Sequence, residues 1–151
     1  MANTYTQLQI HIVFAVKYRK ALIQKEWKER LHQFTTGIVQ QNKHKMLQVN
    51  SMPDHIHILI GLHPTQALSA LVQNIKTETS KWIKAVSGSP FEWQGGFAAF
   101  SCSKRHTEQA IRYIINQEAH HHQKTFMDEY RKMLLDSALE FDERYLFTEP
   151  E

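Results

Sequence analysis

An α+β fold built on one four-stranded antiparallel sheet is what the order of patterns in this chain predicts. Three observations carry it. Apolar residues alternate strictly along a first strand, two later stretches repeat them at helical intervals, and a turn-rich tetrapeptide joins two further strands as a hairpin.

Leu8, Ile10, Ile12, Phe14 and Val16 alternate with Gln9, His11, Val13 and Ala15, which defines the first strand. Trp27, Leu31, Phe34 and Ile38 then recur at helical spacing over about residues 24 to 41. Lys45 to Asn50 reads as a short second strand. Ser51-Met52-Pro53-Asp54 has turn chemistry and leads into a third strand at His55. Leu68, Leu71, Val72, Ile75, Thr79, Trp82, Ile83 and Val86 mark a long second helix, which Ser87-Gly88-Ser89-Pro90 ends. Phe97 to Ser103 is the fourth strand. A helix from Thr107 through His120 and another from about Phe126 to Ser137 complete the chain. The order β-α-β-β-α-β with additional C-terminal helices is the split βαβ, ferredoxin-like arrangement. It puts two helices on one face of the sheet and requires the Thr107 helix to lie across the other.

The 151 residues suit one domain, with no repeat, low-complexity tract or linker. A net charge of +3 permits a polyanionic partner without demanding one. The single cysteine, Cys102, excludes an intramolecular disulfide and suits a reducing compartment. No apolar run reaches the roughly 18 residues of a membrane span, and the polar start is no signal peptide. The expectation is a cytoplasmic protein without membrane attachment.

The candidate chemistry begins at Asp54-His55-Ile56-His57-Ile58-Leu59-Ile60. Side chains on a strand alternate, so His55 and His57 share one face while Ile56, Ile58 and Ile60 share the other and anchor the strand in a core. Two imidazoles about 7 Å apart can converge on one divalent metal ion. Two exposed polar residues beside a core strand would show the same pattern. A second element follows about 55 residues later. Thr107 is an N-cap candidate with Glu108 in the first turn, and Ala110, Ile111, Ile114 and Ile115 form an apolar stripe. Tyr113, Gln117 and His120 fall along one edge of that helix. They read either as a boundary tyrosine capped by a glutamine or as a nucleophile one turn from a metal-ligating amide oxygen.

Together these pieces resemble the HUH-superfamily single-tyrosine transposases of bacterial insertion sequences, with the REP-associated tyrosine transposases as close relatives. The resemblance spans Lys17-Tyr18-Arg19, Met52-Pro53-Asp54-His55-Ile56-His57, Trp93-Gln94-Gly95-Gly96-Phe97, Tyr113-Ile114-Ile115-Asn116-Gln117 and His120-His121. It implies a metal-dependent enzyme that cleaves and rejoins single-stranded DNA at hairpin-marked ends. Tyr113 would be the nucleophile and would form a covalent link to a 5′ phosphate. His55, His57 and Gln117 would hold the metal, magnesium or manganese, with Asp54 as an outer partner or simply a turn residue. The resemblance also implies a homodimer, and Phe141–Phe147 is a candidate seal for its interface. Lys17, Arg19, Lys76, Lys104 and Arg105 are the candidate phosphate contacts, and Tyr18, Trp93 and Phe97 are candidate stacking platforms for unpaired bases, with packing of the loop as the alternative for Trp93 and Phe97. Tyr130 and Tyr145 lack a glutamine four residues on, and Tyr130 fits an apolar helix face. Two alternatives share the pattern: a domesticated REP-associated transposase with the same chemistry, and a non-catalytic single-stranded nucleic-acid-binding module.

Overall fold

The alternating apolar residues of the first strand all fall on one face of a four-stranded sheet. The computed structural model describes residues 3–121 and 125–137. In chain order its elements are β1 (Gln9–Ala15), α1 (Lys28–Gln41), β2 (Lys45–Met52), β3 (His55–Gly61), α2 (Leu68–Ser87), β4 (Ala98–Cys102), α3 (Thr107–Ile115), α4 (Gln117–His121) and α5 (Phe126–Asp136). The sheet order is β2-β3-β1-β4 with every pair antiparallel, as the split βαβ order requires.

Register decides what each face carries. Ile10, Ile12 and Phe14 stand opposite Ile60, Ile58 and Ile56, and these residues form the apolar face. Helices α1 and α2 close that face with Leu31, Ile38, Leu71, Val72, Ile75 and Ile83. Each such fully buried side chain stabilises the fold by ~1.5–3 kcal/mol. Gly88 ends α2 at φ +68, where its N–H reaches the Lys84 carbonyl at 2.9 Å, the left-handed cap that a side chain would strain.

The opposite face carries His11, Val13 and Ala15 paired with Leu59, His57 and His55, and Asn50 paired with His57 from β2. Helix α3 packs across β2 and β3 on this face, in the same chain. The helix expected to run from Thr107 through His120 breaks at Asn116, so Tyr113 and Gln117 sit on two helices. The cause lies in the last carbonyls of α3. Asn50 Nδ2 donates to Ile114 O at 2.8 Å and Ile115 O at 3.3 Å, and Gln117 Nε2 donates to Tyr113 O at 3.2 Å. Side chains inserted into the carbonyl ladder stop its propagation.

Helix α5 begins with Thr125, whose hydroxyl accepts from the Asp128 N–H at 3.2 Å. Its inner face puts Phe126, Met127, Tyr130 and Leu134 into the core. The expected segment Phe141–Phe147, Tyr145 and the side chains of the His120–His122 run lie outside the described residues.

Candidate active site

β3 sends His55 and His57 out of one face, and both are fully buried, 1% and 0% exposed. Their ring centroids are 5.1 Å apart. His55 Nδ1 lies 2.7 Å from Asp54 Oδ1. The other carboxylate oxygen of Asp54 is held by Arg19, through Nε at 3.1 Å and a terminal nitrogen at 2.8 Å. Burial alone would raise the Asp54 carboxyl. Hydrogen bonding and charge from His55, then from Arg19, outweigh it and hold the group down to about 2. The carboxylate therefore stays ionised and orients the His55 ring with Nε2 as its remaining ligand atom.

Arg19 reaches Asp54 from an unusual backbone. Tyr18 and Arg19 have φ of 58° and 51°, left-handed values that cost a non-glycine residue ~1–3 kcal/mol each. The turn is held by the Arg19 N–H on the Val16 carbonyl, and by Val16 N–H on Asp54 O and Ile23 N–H on Pro53 O. This backbone brings the Arg19 guanidinium under the Pro53-Asp54 turn.

His57 has a different partner. Its Nδ1 lies 2.9 Å from His11 Nε2, across the β1–β3 pair. Burial, then the charge of His57, lower the His11 imidazole to about 3, so His11 is neutral at physiological pH. A neutral His11 can accept at Nε2 from His57 Nδ1–H, which leaves the His57 Nε2 lone pair for a ligand. Both histidines of β3 are thus anchored at Nδ1.

Glu129 of α5 is 3% exposed, and its Oε1 lies 3.2 Å from His57 Nε2. One donor atom each from His55, His57 and Glu129 all lie within 4.8 Å of one another. One helical turn earlier Phe126 stacks on His55, with centroids 3.9 Å apart and planes within 16°. Two imidazoles and a carboxylate, buried and converging, fit a divalent metal ion in donor chemistry and in spacing.

Tyr113 stands beside this cluster. Its ring meets the His57 ring nearly edge-on, at 5.9 Å and 83°, and the His11 ring at 6.2 Å. Burial, then the charge of Glu129, push the phenol far above its ordinary range, while a hydrogen bond from Gln117 works in the opposite sense. Gln117 is fully buried. The site thus draws a histidine pair from β3, a tyrosine from the end of α3, a glutamine from α4 and a carboxylate from α5.

Known proteins are similar to this chain in sequence and fold. Residues 4–117 match the model of a family described as "Transposase IS200 like". The chain belongs to the IS200-like transposase family. It is 25% identical over 118 residues to the ISDra2 transposase TnpA of Deinococcus radiodurans, covering 74% of this chain and 84% of that protein. It is 26% identical over 80 residues to the transposase for insertion sequence element IS200 of Salmonella typhimurium, about half of each chain (53% and 53%). Two solved structures share the fold. One is a putative transposase from Deinococcus radiodurans, with a TM-score of 0.63 at 22% identity, covering 78% of this chain and 95% of that one. The other is a REP-associated tyrosine transposase bound to a REP hairpin, with a TM-score of 0.60 at 14% identity, covering 94% and 91%.

The transposase distributes its expected phosphate contacts unevenly. Lys104 and Arg105 are exposed on a short 3-10 turn just before α3. Lys17 is partly exposed and pairs with Glu92 at 3.1 Å. Arg19 is not at the surface: it is 5% exposed and committed to Asp54. Lys76 donates to the carbonyls of Gln94 and Gly96, and burial lowers its ammonium to about 8, so it fastens the loop before β4. Among the expected stacking residues, Tyr18 is exposed. Trp93 is a core residue, edge-on to Phe14 and Phe91 at 4.8 Å each, with its indole N–H on Thr79 Oγ1. Phe97 packs partly buried against the core. Tyr130 is buried, with its phenol pushed up to about 12. No described helix is long and apolar enough to cross a membrane.

Sequence reasoning missed His11, Asn50 and Glu129. His11 carried a usable signal, since it falls on the polar phase of the β1 alternation, the phase that faces the site. Glu129 carried one as well: it interrupts the inward stripe Phe126, Tyr130, Met133 at i+3, where a solvated charge has no place. Asn50 carried none.

Proposed function

We propose that this transposase cleaves and rejoins single-stranded DNA through a covalent 5′-phosphotyrosine on Tyr113, with a divalent metal, magnesium or manganese, at His55, His57 and Gln117. The observation that supports it best is the position of Tyr113, its ring 5.9 Å from that of His57 beside two buried imidazoles anchored at Nδ1. The ion would polarise the scissile phosphate and neutralise charge in the transition state.

The chain's own residues supply the remainder. The phenol of Tyr113 attacks phosphorus as the P–O3′ bond breaks, and the phenol's proton passes through solvent to the departing 3′ oxygen, which leaves as a hydroxyl. The phosphotyrosine conserves the ester, so reversal by a new 3′ hydroxyl rejoins DNA without ATP. Gln117 holds the Tyr113 carbonyl through Nε2, and its amide oxygen is the atom that would ligate the metal. Burial and the charge of Glu129 raise the Tyr113 phenol further above its ordinary range, so it enters the reaction protonated.

The substrate reading draws on the basic surface. A cleft of about 440 Å³ lined by Tyr18, Lys20, Lys84, Pro90, Phe91 and the Lys17–Glu92 ion pair suits an unpaired base on the Tyr18 ring with phosphates on the Lys20 and Lys84 ammonium groups. Lys104 and Arg105 are a separate exposed basic pair just before α3, beyond the other end of β1. Hairpin-marked ends fit the REP hairpin bound by the structural relative. Two ends must be processed together, so the working unit is proposed as a homodimer, the commonest symmetric assembly. A domesticated role would use the same chemistry.

Denaturing gels with labelled hairpin single strands test the proposal. The parent should yield a covalent adduct that Tyr113→Phe abolishes, while Tyr18→Phe and Tyr130→Phe retain it. An adduct in Tyr113→Phe would place the nucleophile elsewhere. Light scattering with and without DNA tests the dimer.

A further inference from the structure

We propose that Glu129 is a carboxylate ligand of the metal, so that the ion fastens helix α5 onto the catalytic sheet. This rests on the metal-site reading above and extends it to a residue outside the family-matched segment, which ends at residue 117.

Two residue pairs set the geometry. Phe126 and Glu129 stand one turn apart on α5 and meet His55 and His57, which stand two residues apart on β3. Glu129 Oε1 already lies 3.2 Å from His57 Nε2, and the three donor atoms lie within 4.8 Å. Ligand atoms about 2.1 Å from a shared ion are at most about 4.2 Å apart, so a small closure joins them. Arg19 ties the same helix to the Asp54 turn, its guanidinium 5.0 Å from the Phe126 ring centroid. α5 is therefore held at both of the histidines that would bind the ion.

Donor chemistry points the same way. Two neutral imidazoles and an amide leave a divalent charge uncompensated and favour borderline metals. Adding one buried carboxylate supplies a hard anionic oxygen, the donor that manganese and magnesium prefer.

Manganese titration calorimetry and hydrogen exchange test this without any turnover. The parent should bind one manganese ion per chain. Glu129→Gln keeps length and packing, Glu129→Asp keeps charge but withdraws the oxygen by one methylene, and each should weaken manganese at least tenfold. Amides of α5 should gain protection when manganese is added to the parent and gain none in Glu129→Gln. Unchanged affinity in both variants, or tighter binding because the carboxylate only blocks the ion, overturns the proposal and spares the histidine site. No manganese binding by the parent overturns the metal-site reading itself. Should either variant misfold, manganese-dependent protection of α5 in the parent decides alone, and its absence counts against Glu129 as a ligand.

Discussion

Asn50 on β2 and Ile114 on α3, 64 positions apart, are joined by a 2.8 Å hydrogen bond from the asparagine amide to the helix carbonyl. Asn50 is paired with His57 across the β2–β3 ladder, so one side chain links the histidine strand to the end of the tyrosine helix. It acts on Tyr113 by position. Asn50→Ala should cost about 1–2 kcal/mol in denaturant unfolding. It should slow adduct formation by roughly 10–100-fold through misplacement of the phenol, with manganese affinity little changed. A variant that loses metal affinity and cleavage in parallel would show that Asn50 supports the sheet face and not the helix.

His11→Leu removes the partner of His57 Nδ1 while filling similar space on β1. The His57 ring would then be free to rotate or to carry its proton on Nε2. Outer partners of ligating histidines are typically worth about 10–100-fold in metal affinity, and a loss in that range is expected by calorimetry. His11→Gln, which can accept at its amide oxygen, should recover part of it. Equal affinity in parent and His11→Leu would remove His11 from the site.

Arg19→Met keeps an apolar stem but leaves the Asp54 carboxylate with His55 alone. It also removes the side-chain interaction that adds to the main-chain bonds holding Tyr18 and Arg19 at positive φ. Breaking this part-buried pair should cost about 2–3 kcal/mol of stability. A loss well below 1 kcal/mol in urea unfolding would mean that the main-chain bonds at Val16 and Ile23 hold the turn unaided.

His32 gives the pH prediction. Burial, then the nearby Lys28 charge, lower its imidazole from 6.5 to about 4 in the fold, where its Nε2 lies 2.8 Å from Ser51 Oγ. Between pH 6.5 and 4 the unfolded chain binds a proton that the folded chain refuses, so stability falls as the pH is lowered through that window. Above 6.5 the two states agree and His32 adds no slope. After allowance for solvent screening, the effect should be on the order of 1–2 kcal/mol. His32→Gln should be less acid-sensitive than the parent by that amount, and identical pH profiles would refute it.

Much of the fold was legible because its cues are local. Period-two alternation in β1, the Pro53-Asp54 turn and the apolar spacing of α1 and α2 each act within a few residues. The histidine pair was legible for the same reason, since a strand that buries Ile56 and Ile58 must present His55 and His57 together. Trp93 stayed open between two readings and Arg19 was misplaced because composition does not reveal direction. An indole can stack on a base or on Phe14, and a guanidinium can meet a phosphate or Asp54.

By itself the sequence determined the element order, the buried face of each strand and the shared face of His55 and His57, because periodicity is a property of neighbours in the chain. Only the tertiary structure decided that α3 ends at Ile115, that His11 backs His57, and that a carboxylate from α5 enters the cluster. Those outcomes depend on contacts spanning 46, 64 and 72 positions. Such contacts are set by strand register and by how the C-terminal helices settle on the open face of the sheet.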